Sequence, residues 1–342
     1  MDRPNRTSES VEKEESVRRR GLLWKVPLLA MVWAGALTVS WPDSAYLADL
    51  LTHLAVHAAL GLALLTLVLA ICRRWVVAAG VLGAAGLIVV SVAVRSSAVT
   101  SMETAAGEGS TLRVVSYNCA SETVASDEAF VRWLTEQDAD LVALIEAPRE
   151  LASWWDPALE RFPHRVGPVR GKMWSMWLLS RHPLEIVELE EPTPETRFVY
   201  AVRRSALVTL PSGRQVLFAA GHPPSPRRVK TWRRALSWAA AAGEALDRYA
   251  ERTGTPIILA TDVNAAPWGR VSRLLASEGR LASPRPLLGG GTFPAWVPPL
   301  LGIPIDTIWT RGCLGEGFTV GPRCGSDHRP VRVDVRIGGA GG

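Results

Sequence analysis

Three long apolar runs stand in the first hundred residues: "GLLWKVPLLAMVWAGALTVSW" at 21–41, "LLTHLAVHAALGLALLTLVLAIC" at 50–72 and "WVVAAGVLGAAGLIVVSVAV" at 75–94. Each comes near the ~20 residues needed to cross the hydrocarbon core of a bilayer. The third carries no charge. The first carries only Lys25, near enough to one end for its amine to reach the interface. A cleaved signal peptide accounts for one such run, not for three in succession. The sequence therefore predicts a three-helix transmembrane anchor over 21–95, after a polar, mixed-charge and disordered tail at 1–20.

The flanks of these runs set an orientation. "RRR" at 18–20 precedes the first and "RR" at 73–74 separates the second from the third, whereas "PDSAYLAD" between the first two has acids and no Lys or Arg. Under the positive-inside rule the N-terminus and the 73–74 turn are cytoplasmic. Three crossings then put everything after residue 95 on the periplasmic or extracellular side of the cell (inner) membrane. His53 and His57 lie one turn apart in the second run and Asp49 one turn before His53, and the simplest reading puts all three in the outer, interfacial turns of that helix.

The whole chain has 342 residues, 48% apolar and 21% charged, with a formal net charge of +5. That length suits one sizeable domain behind the anchor. The mildly basic balance is compatible with an anionic partner and says little by itself. Four cysteines without CxxC spacing give no zinc site. Cys313 and Cys324, flanking an expected hairpin, are placed to form a disulfide if the domain is exported.

Residues 96–110 ("SSAVTSMETAAGEGS") are small and polar and read as a linker. From 111 to 338, strand and helix patterns alternate. "LRVVSYN", "LVALIEA", "MWSMWLLS", "LEIVELE", "RFVYAVRRSALVTL", "PIILAT", "IDTIWT" and "VRVDVRI" read as strands. "DEAFVRWLTEQDAD" reads as a short amphipathic helix, and 227–252 as a long one closed by Gly254. Pro211 to Gly213 provide turn chemistry for a hairpin between "ALVTL" and "RQVLFAAGH". Hairpins mixed with crossover helices imply an α/β (α+β) architecture: two mixed sheets packed face to face with helices outside.

What stands at the ends of the apolar strands points to function. "RVVSYN" ends on Asn118, "LVALIE" on Glu146, "VLFAAGH" on His222, and "IILATDVN" on Asp262 and Asn264. "IPID" brings Asp306 to a strand start, and "GSDHRPV" puts Asp327 and His328 just before the last strand. Singly, each has an ordinary explanation as a turn cap, helix start or satisfied histidine. Together they make one chemistry. Several hard oxygen donors without thiolates suit Mg²⁺ or Mn²⁺. A His beside an Asp, with a further Asp to orient it, suits general acid–base work. Asn amides can donate to a developing phosphoryl charge. The combination describes metal-assisted hydrolysis of a phosphate ester.

The ordered set "RVVSYN", "LVALIE", "WLLSRHPL", "AAGHPPSP", "LATDVNAAP", "IDTIWT" and "GSDHRPV" resembles the endonuclease/exonuclease/phosphatase superfamily (deoxyribonuclease I-, exonuclease III- and neutral sphingomyelinase-like), in particular its small membrane-anchored bacterial members. The resemblance covers about 111–338. It implies a four-layered sandwich and a Mg²⁺-dependent (or Mn²⁺-dependent) phosphohydrolase acting on phosphodiesters or phosphomonoesters, with nucleic acid or phospholipid headgroups as substrate. It implies Glu146 as the main metal ligand with Asn118 and Asp327. His328, oriented by Asp306, becomes the base or phosphate-polarising group. Asp262 aligns or deprotonates water, Asn264 steadies the transition state and His222 contacts the phosphate. Two motifs depart from the family pattern: Thr261 and Val263 stand where "GDFN" has Gly and an aromatic, and Ile145 precedes Glu146 where Gln is usual. The reading from another class is a catalytically inactive binding module on the same fold.

Two further features bear on the substrate. Arg227, Arg228, Lys230, Arg233 and Arg234 begin the long helix, where cations oppose the macrodipole and flank the His222 loop. Trp174, Trp177, Trp232, Trp268 and Trp296 are residues for base stacking, for a lipid interface or for the core.

Overall fold

The first apolar run folds as α1 (Lys25–Ser40) and the second as two helices, α2 (Tyr46–Thr52) and α3 (Ala55–Ile71), bent by 66° at their junction. The third is α4 (Trp75–Thr100). This computed structural model describes residues 25–41, 45–100, 109–120, 128–148, 151, 155–167, 175–189, 204–286 and 290–338, so the predicted tail at 1–20 and Trp174 lie outside the described residues. The described residues do not form three straight transmembrane helices. Among the described residues one helix, over Trp75–Ser97, is long and apolar enough to cross a bilayer. At about 1.5 Å per residue α1 spans only ~24 Å of a ~30 Å core, and α2 and α3 qualify only if the bent pair counts as one span. The break falls where Asp49, Thr52 and His53 turn inward and are buried, Thr52 Oγ1 donating to the Val39 carbonyl at 2.9 Å. A sum of hydropathies does not register such a bend. The Asp49–His53–His57 row is split by it, and the outward orientation of later residues, which counted three crossings, loses its basis.

The chain divides into two compact units, Met1–Val92 and Ala93–Gly342. In the second, the predicted linker begins as helix: Val99 of α4 is buried and its carbonyl accepts from Ser283 N at 2.8 Å. The strands are β1 (Ser110–Asn118), β2 (Leu141–Ala147), β3 (His164–Val166), β4 (Ser175–Ser180), β5 (Leu184–Ile186), β6 (Arg204–Thr209), β7 (Gln215–Gly221), β8 (Ile257–Asp262), β9 (Asp306–Arg311), β10 (Leu314–Val320) and β11 (Val331–Ile337). Helices α5 (Glu128–Gln137), α6 (Asp156–Leu159), α7 (Val229–Thr253) and α8 (Arg270–Gly279) complete the unit. Of these, β3, β10, α6 and α8 are absent from the sequence reading.

One sheet has the order β10-β11-β1-β2-β4-β3 and the other β5-β6-β7-β8-β9. β1 pairs with β2 in parallel through α5, and β7 with β8 in parallel through α7; the other pairings are antiparallel. Period-two alternation splits each central strand between two apolar layers. Val114, Ala143, Ile145, Phe218, Ala220, Ile258 and Ala260 fill the space between the sheets. Their neighbours Val115, Tyr117, Val142 and Leu144 pack outward on Phe130, Leu134 and Trp155. Leu217, Ala219 and Leu259 pack outward on Ala235, Trp238 and Ala242. Strands apolar on both faces must be covered on both, and the result is the expected four-layered sandwich. The Pro211–Gly213 hairpin forms, with Gly213 N donating to Leu210 O at 2.8 Å, and Gly254 ends α7 in the left-handed conformation (φ 66°). Cys313 and Cys324 are buried thiols not joined in a disulfide; each donates to a nearby carbonyl, Ile257 O and Pro322 O, at 3.4 Å.

Candidate active site

In an open sheet a ligand crevice lies beyond the carboxyl ends of the parallel strands. Here both parallel pairs end at one place. Asn118 closes β1, Glu146 lies near the end of β2, His222 follows β7 and Asp262 closes β8 opposite Asp306, which opens β9. A cleft of about 660 Å³ is lined by Glu146, His222, Asp262, Asn264, Asp327 and His328, joined by Arg227 and Phe293. All eight polar residues singled out in the sequence converge here. Asn118 is buried behind the wall and Asp306 beneath it.

Asp262 is the hub. Its Oδ2 accepts from Asn118 Nδ2 at 2.9 Å and its Oδ1 from Asn264 N at 2.8 Å. His222 Nδ1 lies 3.0 Å from the Asp262 carbonyl and 3.6 Å from Oδ2, and its Nε2 is 2.6 Å from Glu146 Oε1. His328 Nδ1 is 2.9 Å from Asp306 Oδ2, leaving Nε2 facing the carboxylates of Asp262 and Asp327 at 3.8 and 3.9 Å. Ala120, Glu146 and Asn264 adopt positive φ (45°, 50° and 53°). Left-handed backbone at non-glycine residues costs free energy and gathers where a side chain must be aimed. Asn264 Nδ2 is anchored on Pro223 O at 3.1 Å, and Asn118 Oδ1 accepts from Ala120 N at 2.9 Å.

The charges hold one another. Burial alone would raise the Glu146 carboxyl, but the hydrogen bond and charge of His222, with His328 and Asn118, hold it below the ordinary glutamate value. Burial would lower His222; Glu146 and Asp262 outweigh it and raise the imidazole. For His328 burial is likewise overcome, by Asp306 and then Asp262, and its pKa rises to about 10. Asp262 is pushed up, first by burial and then by Asp306, against the pull of both histidines. Ligand atoms of Asp262, Asp306 and His328 lie within 4.8 Å of one another, close enough to hold a metal ion. With its pKa near 10 His328 is protonated at neutral pH, its Nδ1–H on Asp306 and its Nε2 3.8 Å from Asp262, so an imidazolium between the two carboxylates accounts for the geometry.

Sequence reasoning missed the supports. Ser326 Oγ donates to Asn118 O at 2.8 Å and accepts from His328 N at 3.0 Å, tying β1 to the "SDH" loop. Arg285 is buried beneath Asp306, with Nη2 donating to the Asp306 carbonyl, Nη1 to Gly290 O at 2.9 Å, and its guanidinium stacked 4.3 Å from the Phe318 ring. The Ser326 signal stood in "GSDH"; nothing local marks Arg285. The Thr261 departure has a local cause, since its Oγ1 accepts from the indole of Trp309 at 2.8 Å, while Val263 packs in the outer core. Trp232 and Trp268 are buried, Trp177 donates to Pro148 O at 3.0 Å, and Trp296 alone of the described tryptophans in the sequence set is on the surface. Arg227, Arg228, Lys230, Arg233 and Arg234 are exposed, and none makes an ion pair with a described residue.

Two packed mixed sheets with an acid, amide and imidazole cleft at their joined ends define a sandwich hydrolase class. The chain belongs to the Endonuclease/Exonuclease/phosphatase family, whose model matches residues 115–328; its members are phosphoesterase hydrolases that use divalent metal ions. The fold resembles the endonuclease/exonuclease/phosphatase from Beutenbergia cavernae (19% identity, TM-score 0.50, 67% of this chain and 72% of that one). It also resembles those from Bacteroides vulgatus (12%, 0.52, 67% and 99%) and Bacteroides thetaiotaomicron (18%, 0.50, 68% and 97%). No curated protein sequence matches the chain.

Proposed function

We propose that this chain is a Mg²⁺- or Mn²⁺-dependent phosphoric ester hydrolase that cleaves a phosphodiester or phosphomonoester by attack of water, and that its N-terminal unit attaches it to a membrane. The observation that carries the hydrolase reading is Asp262, a buried carboxylate oriented by two donors and made more basic by its surroundings, on the wall of a cleft that also presents two imidazoles. A base of raised pKa in contact with the cleft is suited to take a proton from an attacking water. Asn264 gives one amide proton to Pro223 O and keeps the other for a phosphoryl oxygen. His328 is gripped at Nδ1 by Asp306 while its Nε2–H lies beyond hydrogen-bond reach of Asp262 and Asp327, so it is available to a phosphate. His222 would reach the phosphate by releasing Glu146, which its Nε2 contacts at 2.6 Å while its Nδ1 stays on the Asp262 carbonyl.

The donor set fits a hard divalent cation. Glu146 and Asp327 place carboxylates on the cleft, and Asn118, whose amide nitrogen faces Glu146 and Asp262 here, would offer its neutral oxygen by a turn of the amide. When bound, the ion would polarise the scissile phosphate. Glu146, Asn118 and Asp327 would hold it, and their rigid backbone would fix the phosphate against Asp262.

The membrane reading rests on the surface of the N-terminal unit. Val76, Met31 and Ile71 are 82%, 74% and 72% exposed, among many exposed apolar side chains on its helices. So large an apolar surface is unfavourable in water. Retention in the membrane pellet after alkaline carbonate extraction is expected; release into the supernatant would overturn it.

The decisive assay pairs bis-p-nitrophenyl phosphate, polynucleotide, phospholipid vesicles and phosphomonoesters with Mg²⁺, Mn²⁺ or chelator. Turnover dependent on metal is expected, lost in Glu146→Ala and in His328→Ala. Unchanged rates in both variants would overturn the site, and a wild-type chain inactive on the whole panel would leave the binding-module reading.

A further inference from the structure

The rim of the cleft carries an apolar tip that the hydrolytic groups do not use. Between α8 and β9 the chain runs "FPAWVPPLLG" (293–302), with Phe293 on the cleft wall. It then exposes Trp296, Leu300 and Leu301, at 61%, 64% and 52%. The short turn Pro299–Leu301 buries none of its residues. Three large apolar side chains within six residues make a patch, not the single exposed residues every surface has.

This tip is braced on the active-site loop. The rings of Phe293 and Trp296 meet edge to face, 6.3 Å between centroids. Ala295 N donates to Asp327 O at 2.7 Å, and Arg329 Nη2 donates to Ala295 O at 2.9 Å and to Val297 O at 3.3 Å. The same cleft has Arg227 on its wall, and Arg227 opens the run of exposed cations that continues through Arg228 and Lys230, with the exposed Val229 among them.

We propose that residues 296–301 and this cationic run form an interfacial surface that seats the mouth of the cleft on an anionic phospholipid bilayer. Trp with flanking Leu is the composition that enters the headgroup boundary, and cations beside it are drawn to anionic lipid. Single-stranded nucleic acid would use stacking faces, which Leu300 and Leu301 do not have. The inference deepens the hydrolase reading by naming a bilayer as the place where substrate is met. It rests on that reading for the substrate alone, because docking is measurable without turnover.

The test uses the full chain with Leu300→Cys in a Cys72→Ser background, since the other three cysteines are buried. The new thiol carries an environment-sensitive fluorophore, and the protein is reconstituted in vesicles of phosphatidylcholine with or without phosphatidylglycerol. The expected result is a blue-shifted emission, quenched by shallow nitroxide lipids, in the anionic vesicles and weakened by Arg228→Glu with Lys230→Glu. An emission that stays water-like in both compositions, or a shift produced only by an added oligonucleotide, overturns the proposal. Equal insertion into purely zwitterionic vesicles overturns the part played by the cations. In parallel, the combined Trp296→Ser, Leu300→Ser and Leu301→Ser variant should keep hydrolysis of bis-p-nitrophenyl phosphate while losing about tenfold or more on vesicle phospholipid. An inactive wild type whose probe still inserts would sink the hydrolase reading and leave the docking surface standing.

Discussion

His328 is held as an imidazolium between two buried aspartates, and that has a consequence for stability. Its folded pKa of about 10 lies above the ordinary histidine value of about 6.5. Stability from such a group is complete below the unfolded pKa, declines as pH rises, and is gone above the folded one. In chelator, the melting temperature of wild type should exceed that of His328→Gln most near pH 6, and the gap should close toward pH 10. A gap that is flat with pH would refute the proton assignment. A second residue-scale prediction concerns Thr261, whose hydroxyl accepts the buried Trp309 indole at 2.8 Å. Thr261→Val keeps the shape and orphans the indole N–H, so urea unfolding should show a loss of about 1–3 kcal/mol. An unchanged midpoint would mean that the indole finds another acceptor.

At the scale of elements, the two crossover units explain why the site forms. Each parallel pair is tied by a helix on its outer face, so the ends of β1, β2, β7 and β8 are fixed relative to layers with little freedom to shift. α7 lies so close to β7 that a Cβ on Gly221 would meet Trp238 at 2.6 Å. Gly221 immediately precedes His222. Gly221→Ala should therefore cost about 1–3 kcal/mol through overpacking and should lower kcat by displacing the imidazole; wild-type kcat in a destabilised variant would separate the packing from the positioning. Strand-end residues such as Glu146 and Asp262 were legible in the sequence because both faces of their strands are apolar and a polar residue stands out at the end. β10 was not, since "LGEGFTV" has two glycines and no sustained alternation. Nor was Arg285, because its partners Asp306 and Phe318 are distant in sequence and an isolated arginine looks like surface. The α2–α3 bend was hidden within one continuous apolar run.

For the whole molecule, the boundary between the units falls inside α4, and the sequence placed it later, in a polar linker. The last turns of that helix belong to the second unit: Val99 is buried in the outer core with Leu281 and Trp309, and its carbonyl accepts from Ser283 N. Two truncations separate these assignments. A chain starting at Ala93 keeps Val99, whereas one starting at Gly109 loses it and exposes part of the layer that α8 covers. Losing a buried Val side chain removes about 1.5–3 kcal/mol, and losing its hydrogen bond about 1 kcal/mol more. At about 2–4 °C per kcal/mol for a unit of this size, the shorter chain should melt several degrees lower. Both should hydrolyse a soluble diester if they fold, because none of the cleft residues precedes Asn118, and both should come off the membrane in alkaline carbonate, which strips a surface-docked unit. Equal melting temperatures would return residues 96–110 to the role of a linker; a shortened chain retained after alkaline carbonate would place an integral attachment, beyond surface docking, in the catalytic unit.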